Sequence, residues 1–140
     1  MNKKFIISWL LVFVAWMFGS FLVHGGLLGE DYAALTNLFR AEEAQMETFP
    51  VMLIAHIIMA GAFVWIYLRG RENGPWMAQG VRYGIAIALL APIPTYMIYY
   101  AVQPLPADMV VKQIIGDGLL VVVLGVLTAF LNKPQAATNN

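Results

Sequence analysis

Four long stretches of the chain are almost free of charged side chains, and this feature constrains the fold more than any other. Residues 5–29 contain no Asp, Glu, Lys or Arg, and two further uncharged stretches cover 48–68 and 83–107. Lys112 and Asp117 interrupt a fourth stretch. A helix needs about 20 apolar residues to cross the hydrocarbon core of a bilayer. We therefore expect an all-α protein whose four membrane spans cover about 5–26, 49–68, 82–102 and 109–131.

The overall composition supports a membrane protein and excludes several other classes. Hydrophobic residues make up 61% of the chain and charged residues only 11%, whereas soluble domains carry about 25% charged residues. Eight Lys and Arg balance eight Asp and Glu without a basic patch, so a nucleic-acid partner is not expected. Since the sequence contains no cysteine, disulfides, iron–sulfur clusters and thiolate zinc sites are excluded.

Lysine and arginine are distributed unevenly between the two sides of the expected spans. Six of the eight lie at the termini or in the second connection, and only Arg40 and Lys112 lie on the other side. Because cytoplasmic loops carry an excess of Lys and Arg, we expect cytoplasmic termini in a bacterial inner membrane, with loops 27–48 and 103–108 periplasmic. The short connections predict an up-down four-helix bundle. So small a bundle favours contacts with membrane lipid and either a homo-oligomer or a larger membrane complex.

The first outer loop contains an amphipathic segment. Residues 31–47 include no proline or glycine, and at about 100° per residue several apolar side chains fall on one arc. This pattern predicts a helix lying in the outer interface. Glu42 falls within the apolar arc, where an acid either faces water at the helix edge or points into the bundle. Residues 1–133 thus form one membrane domain, followed by a tail at 134–140 that we expect to be disordered.

Polar side chains within the spans are expected at a common depth in the outer half. By helical rise, His56 and Asp117 both lie roughly 10 Å below the outer surface. An acid in hydrocarbon costs about 3 kcal/mol and needs a partner, so we expect His56 and Asp117 to interact. The candidate ligand-binding residues of this layer are His56, Asp117, Gln113, Tyr96, His24 and Glu42. The layer is either an outward-facing pocket or a set of interhelical hydrogen bonds that holds the bundle together.

No cofactor is identified from the sequence. The two histidines are expected at different depths, which disfavours joint ligation of one haem iron. Met52 and Met59 share a helix face with His56, and thioether and imidazole ligands suit copper(I). Methionine is also common filler in apolar helices, so these residues remain copper candidates without a dedicated metal motif.

Arg40-Ala41 and Glu47-Thr48-Phe49-Pro50 resemble the start of the second helix in the membrane-associated glutathione transferase and eicosanoid enzyme family (MAPEG). The resemblance implies a four-span, glutathione-dependent enzyme in which Arg40 and Glu47 bind glutathione. As a whole, the chain resembles small, uncharacterised four-span proteins of bacterial inner membranes, which implies an architecture but no activity.

The sequence favours a non-enzymatic membrane protein, although enzymatic activity is not excluded. The motifs that would carry a nucleophile with its base, a phosphate-binding loop or a metal centre are missing. We expect a small ligand or a membrane partner to bind at the outer polar layer. A small transporter, an accessory subunit of a membrane complex and a MAPEG-like enzyme remain the alternatives.

Overall fold

The computed structural model describes residues 3–133 and confirms an all-helical chain over that range. Four helices are long and apolar enough to cross a membrane, as the sequence predicts. They cover Lys3–Leu27, Glu43–Gly70, Trp76–Val102 and Ala107–Leu131. The tail at 134–140 and the side chain of Glu42 lie outside the described residues, so the expectations for them stay predictions.

Two of these helices are irregular, and their secondary-structure elements are numbered accordingly. The first consists of α1 (Lys3–Ser20) followed by a π-helical segment (Phe21–Leu27). The remaining elements are α2 (Gly29–Ala33), α3 (Glu42–Gly70), α4 (Trp76–Leu90), α5 (Pro92–Val102) and α6 (Ala107–Leu131).

The first loop differs from the single interfacial helix expected over 31–47. Helix α2 ends at Ala33, residues 34–41 form turns, and α3 begins only at Glu42. The rings of Tyr32 and Phe39 lie 4.8 Å apart, although seven residues of continuous helix would separate their positions by roughly 10 Å along the axis. The chain therefore folds back on itself between Tyr32 and Phe39 and does not continue as one helix.

The third span is interrupted where two prolines follow each other closely. Helix α4 ends at Leu90, and Ala91 has non-helical dihedrals of φ −119° and ψ −80°. Pro92 and Pro94 lack the N–H groups that would continue the helical hydrogen bonds, so the interruption has a direct chemical cause. Helix α5 begins at Pro92 and carries Tyr96.

Helices α4 and α6 pack closely because glycines line their contact. A Cβ atom added to Gly80 would lie 2.7 Å from Val126 Cα, and one added to Gly84 would lie 2.5 Å from Val122 Cα. Gly125 faces them, since its added Cβ would lie 2.5 Å from the Gly80 carbonyl oxygen. Small residues four apart are a common means of close helix approach in membranes. Here they fix the rotation of α6 about its own axis.

Helix α1 packs against both α3 and α6. Trp16, Phe63 and Leu124 belong to the buried apolar core that these helices share. Ser8 near the start of α1 bonds to Asn132, which follows α6, while His24 contacts Asp117 at the other end. Helices α1 and α6 are therefore antiparallel, and α1 separates α3 from much of α6.

Candidate functional site

Five polar side chains from four segments converge near one end of the helices. We call them the polar cluster: His24 from the π-helical segment, Tyr32 from α2, Tyr96 from α5, and Gln113 and Asp117 from α6. Gln113 and Asp117 are one helical turn apart, so α6 presents both on the same face. The cluster thus links the first loop with three membrane spans.

Asp117 is the acidic centre of the polar cluster. Its Oδ2 atom accepts a hydrogen bond from the Tyr96 hydroxyl and lies 3.2 Å from His24 Nε2. Only 14% of the Asp117 side chain is exposed, compared with 33% of the His24 side chain. A carboxylate within a membrane span requires such partners, since its insertion costs about 3 kcal/mol. The imidazole is consequently the more accessible member of the pair.

The donors and acceptors of the cluster can be assigned in a consistent order. Gln113 Nε2 donates to the Tyr32 hydroxyl oxygen over 3.1 Å, and that hydroxyl lies 2.7 Å from His24 Nδ1. If Tyr32 donates its proton to Nδ1, the neutral imidazole carries its own proton on Nε2 and donates it to Asp117. A continuous chain of hydrogen bonds then runs from Gln113 through Tyr32 and His24 to Asp117.

Tyr32 belongs to the loop rather than to a membrane span. Burial raises the pKa of its phenol above the usual value, and the negative charges of Asp117 and Asp31 act in the same direction. The hydrogen bond from Gln113 acts in the opposite direction but is the smaller effect. Tyr32 therefore keeps its proton at neutral pH and remains able to donate it to His24.

One acceptor of the cluster is unsatisfied within the part of the chain that the structure describes. Gln113 is only 4% exposed, and its Oε1 atom has no hydrogen-bond partner there. A buried acceptor without a partner costs about 1–3 kcal/mol. A ligand or water that presents an N–H or O–H group at this position would remove that cost.

An ion pair holds the first loop over the cluster. Lys112 Nζ lies 2.8 Å and 3.0 Å from the two carboxylate oxygens of Asp31. The next residue along each segment is a cluster member, because Tyr32 follows Asp31 and Gln113 follows Lys112. Two consecutive contacts thus join α2 to the first turns of α6. Sequence reasoning missed the roles of Asp31, Tyr32 and Lys112. The available signal was that Asp31 and Lys112 each directly precede a polar residue in the sequence.

The structure corrects the expected pair of His56 and Asp117. His56 Nδ1 lies 2.9 Å from the Met52 carbonyl oxygen, and its Nε2 lies 3.2 Å from Ser20 Oγ. Its ring also packs edge-on against Trp16. Because α3 lies against α1, His56 is satisfied there, and Asp117 takes the other histidine as its partner. Similar depth in the membrane did not imply contact.

The polar layer is therefore smaller than the sequence suggested. His24, Tyr96, Gln113 and Asp117 come together, whereas His56 bonds to Ser20 and Met52 instead. The side chain of Glu42 lies outside the described residues.

The copper candidates occupy a different part of the chain. Met52 and Met59 are exposed on α3. His56 lies between them in sequence, and a metal at its Nε2 would have to displace the Ser20 hydroxyl. Among residues 3–133, no group of three His, Cys, Asp or Glu side chains is arranged to hold a metal ion.

The candidate glutathione residues lie away from the polar cluster contacts. Arg40 is exposed in the loop before α3, and its carbonyl oxygen accepts a hydrogen bond from Gln45 Nε2. Glu47 is exposed in the second turn of α3.

Comparisons with known proteins add no homologue to this description. No family model matches the chain, and no curated protein or solved structure matches it either.

Proposed function

We propose that the protein is an integral inner-membrane protein that binds a small polar ligand at the polar cluster. The observation that carries this proposal is the buried Oε1 atom of Gln113, which has no hydrogen-bond partner among the described residues and lies in the same network as the partly exposed His24. The acceptor favours a ligand with an N–H or O–H group, and the Asp117 carboxylate favours the same chemistry. The ligand would approach past His24.

The orientation of the protein is part of the proposal. The excess of Lys and Arg at the termini and in the connection between α3 and α4 favours cytoplasmic termini and a periplasmic first loop. The short connections favour an up-down bundle. In that orientation the polar cluster lies in the outer half of the membrane. Binding requires no catalytic machinery, and it is compatible with a small transporter or with an accessory subunit of a larger complex.

The two histidines provide a matched pair of variants for the test. Protein purified in mild detergent is examined by native mass spectrometry for retained small molecules, which are then identified by fragmentation. We expect His24→Gln and Asp117→Asn to weaken ligand retention about tenfold or more, since Asp117→Asn removes the charged acceptor offered to the ligand and His24→Gln removes the imidazole that bonds to this acceptor. His56→Gln should leave retention unchanged.

The alternative is that the polar cluster only holds the helices together. In that case no specific molecule is retained by the wild type, and His24→Gln changes stability without changing the bound mass. That result would replace the binding proposal with interhelical hydrogen bonding as the role of the cluster.

A glutathione-dependent membrane enzyme remains the second proposal. It is supported only by the resemblance around Arg40 and Glu47. We expect no saturable glutathione binding to the purified protein. Micromolar binding that is abolished by Arg40→Ala would reverse the order of the two proposals, because an arginine can bind a carboxylate through charge-assisted hydrogen bonds.

A further inference from the structure

A cleft separates α3 from α4 at the end of the molecule opposite the polar cluster. It has a volume of about 280 Å³ and is lined by residues of both helices and their connection. On α4 the lining residues are Gln79, Arg82, Tyr83 and Ala86, which recur at the spacing of one helix face. The residues of α3 and the connection that line it are Ile66, Tyr67, Gly70, Arg71 and Glu72.

Tyr83 lines the cleft and joins its two helices. Its hydroxyl donates to the Phe63 carbonyl oxygen over 2.5 Å, and its ring lies 5.4 Å from that of Tyr67. Towards the connection the lining becomes charged. Arg71 and Glu72 lie in the connection, and Arg82 of α4 pairs with Glu72. The cleft is therefore apolar towards the middle of the spans and charged at their ends.

The charged end of the cleft is held in place by the connection itself. The Glu72 backbone N–H donates to Gln79 Oε1 over 2.9 Å, and Gln79 Nε2 donates to the Gly74 carbonyl oxygen over 2.9 Å. Arg71 Nη1 donates to the Asn132 carbonyl oxygen over 3.0 Å, which fixes the guanidinium group. Arginine has five N–H donors, so this bond leaves others for a ligand.

Charge and polarity together identify the class of ligand. Arg71 and Arg82 carry two positive charges, and Glu72, which pairs with Arg82 over 2.8 Å, carries one negative charge. The cleft thus has a net positive charge beside apolar walls within the membrane spans. Guanidinium groups bind phosphate in a bidentate manner, and basic sites between membrane helices bind lipid headgroups. We propose that the α3–α4 cleft binds the phosphate headgroup of an anionic phospholipid.

The lipid would lie with its phosphate at Arg71 and Arg82 and its acyl chains along the apolar part of the cleft. In this placement the lipid contacts both the charged and the apolar residues of the cleft, whereas free phosphate would contact only the charged residues. The inference does not depend on the proposed orientation or on ligand binding at the polar cluster.

Lipid titrations of the purified protein in detergent micelles test the proposal. Native mass spectrometry counts the phosphatidylglycerol and phosphatidylcholine molecules retained, and a parallel titration adds inorganic phosphate. We expect phosphatidylglycerol to bind more tightly than phosphatidylcholine. Arg71→Gln and Arg82→Gln should each weaken its binding about fivefold, the usual contribution of one basic residue.

Two further variants separate a specific site from general surface charge. Arg69→Gln removes the same charge two residues from Arg71, but Arg69 lies over Trp65 and does not line the cleft. It should leave binding unchanged. Glu72→Gln should strengthen binding, because it removes the carboxylate that competes for Arg82. Arg82→Gln leaves the bond between Arg71 and Asn132 intact, so it carries the test if Arg71→Gln fails to fold.

Three results would overturn the proposal. Equal retention of the two lipids would show that the headgroup charge is not recognised. Equal weakening by Arg69→Gln and Arg82→Gln would show that only the surface charge matters. Competitive displacement of phosphatidylglycerol by inorganic phosphate, with the same dependence on Arg82, would identify free phosphate as the ligand.

Discussion

Replacing Gly84 with alanine should force α4 and α6 apart. The added Cβ atom would lie 2.5 Å from Val122 Cα and 3.0 Å from the Val121 carbonyl oxygen. Both are backbone atoms, so no side-chain rotation can relieve the contact, and the helices themselves must separate. Forcing extra volume into a well-packed interior costs about 1–3 kcal/mol. Gly84 is buried where α4 packs against α6, so we expect a value within that range.

The assay is the free energy of unfolding in mixed micelles, followed by tryptophan fluorescence as a denaturing detergent is added. Gly118→Ala is the matched control, because it also replaces a helical glycine but its added Cβ has no atom within 4 Å. Both variants share the difference in helix propensity between Gly and Ala. The difference between their free energies of unfolding therefore isolates the packing cost. If Gly84→Ala is as stable as Gly118→Ala, close packing does not stabilise this contact and the reasoning fails.

Three other predictions concern the polar cluster, the loop above it and the topology. Asp117→Asn should destabilise the protein by about 1–3 kcal/mol less than Asp117→Leu, measured in the same micelle assay, since leucine leaves the former partners unpaired. Asp31→Asn and Lys112→Gln should each speed proteolysis of the loop at 34–41, and the double variant should add little, whereas additive rates would contradict a direct ion pair. Reporter fusions after Lys133 should read cytoplasmic and those within 34–41 periplasmic, and the reverse result would invert the proposed orientation.

The sequence was sufficient to predict the spans because hydropathy and length depend on local composition alone. In the third span the interruption also has a local cause, because Pro92 and Pro94 lack the N–H group and a missing N–H acts on its own helix. The first loop was predicted less well. Its amphipathic pattern favoured one helix over 31–47, but α2 ends at Ala33, and Asp31 and Tyr32 bond to α6. The pattern of one segment carries no information about such long-range contacts.

The partner of Asp117 could not be predicted because it depends on which helices are neighbours. Helical rise gave His56 a suitable depth, yet depth carries no information about direction around the bundle. The same limitation hid the contact between Gly84 and Gly125, since sequence indicates that small residues allow close approach but not which helices meet. His24, which was also a candidate for the polar layer, takes the role assigned to His56.

The rotation of α6 explains why Asp117 lies among polar partners. Gly116 faces the π-helical segment that follows α1, because a Cβ added there would lie 2.7 Å from a methyl group of Val23, while the Val121 carbonyl oxygen lies against Gly84 of α4. At about 100° per residue, position 117 lies about 100° from 116 and about 40° from 121 around the helix. Asp117 therefore points between the α4 side of α6 and the side that faces the π-helical segment. The π-helical segment after α1 and the helix α5 after α4 bring His24 and Tyr96 to that same interval. The glycine contact in the core and the polar cluster near the membrane surface are thus two consequences of one helix rotation.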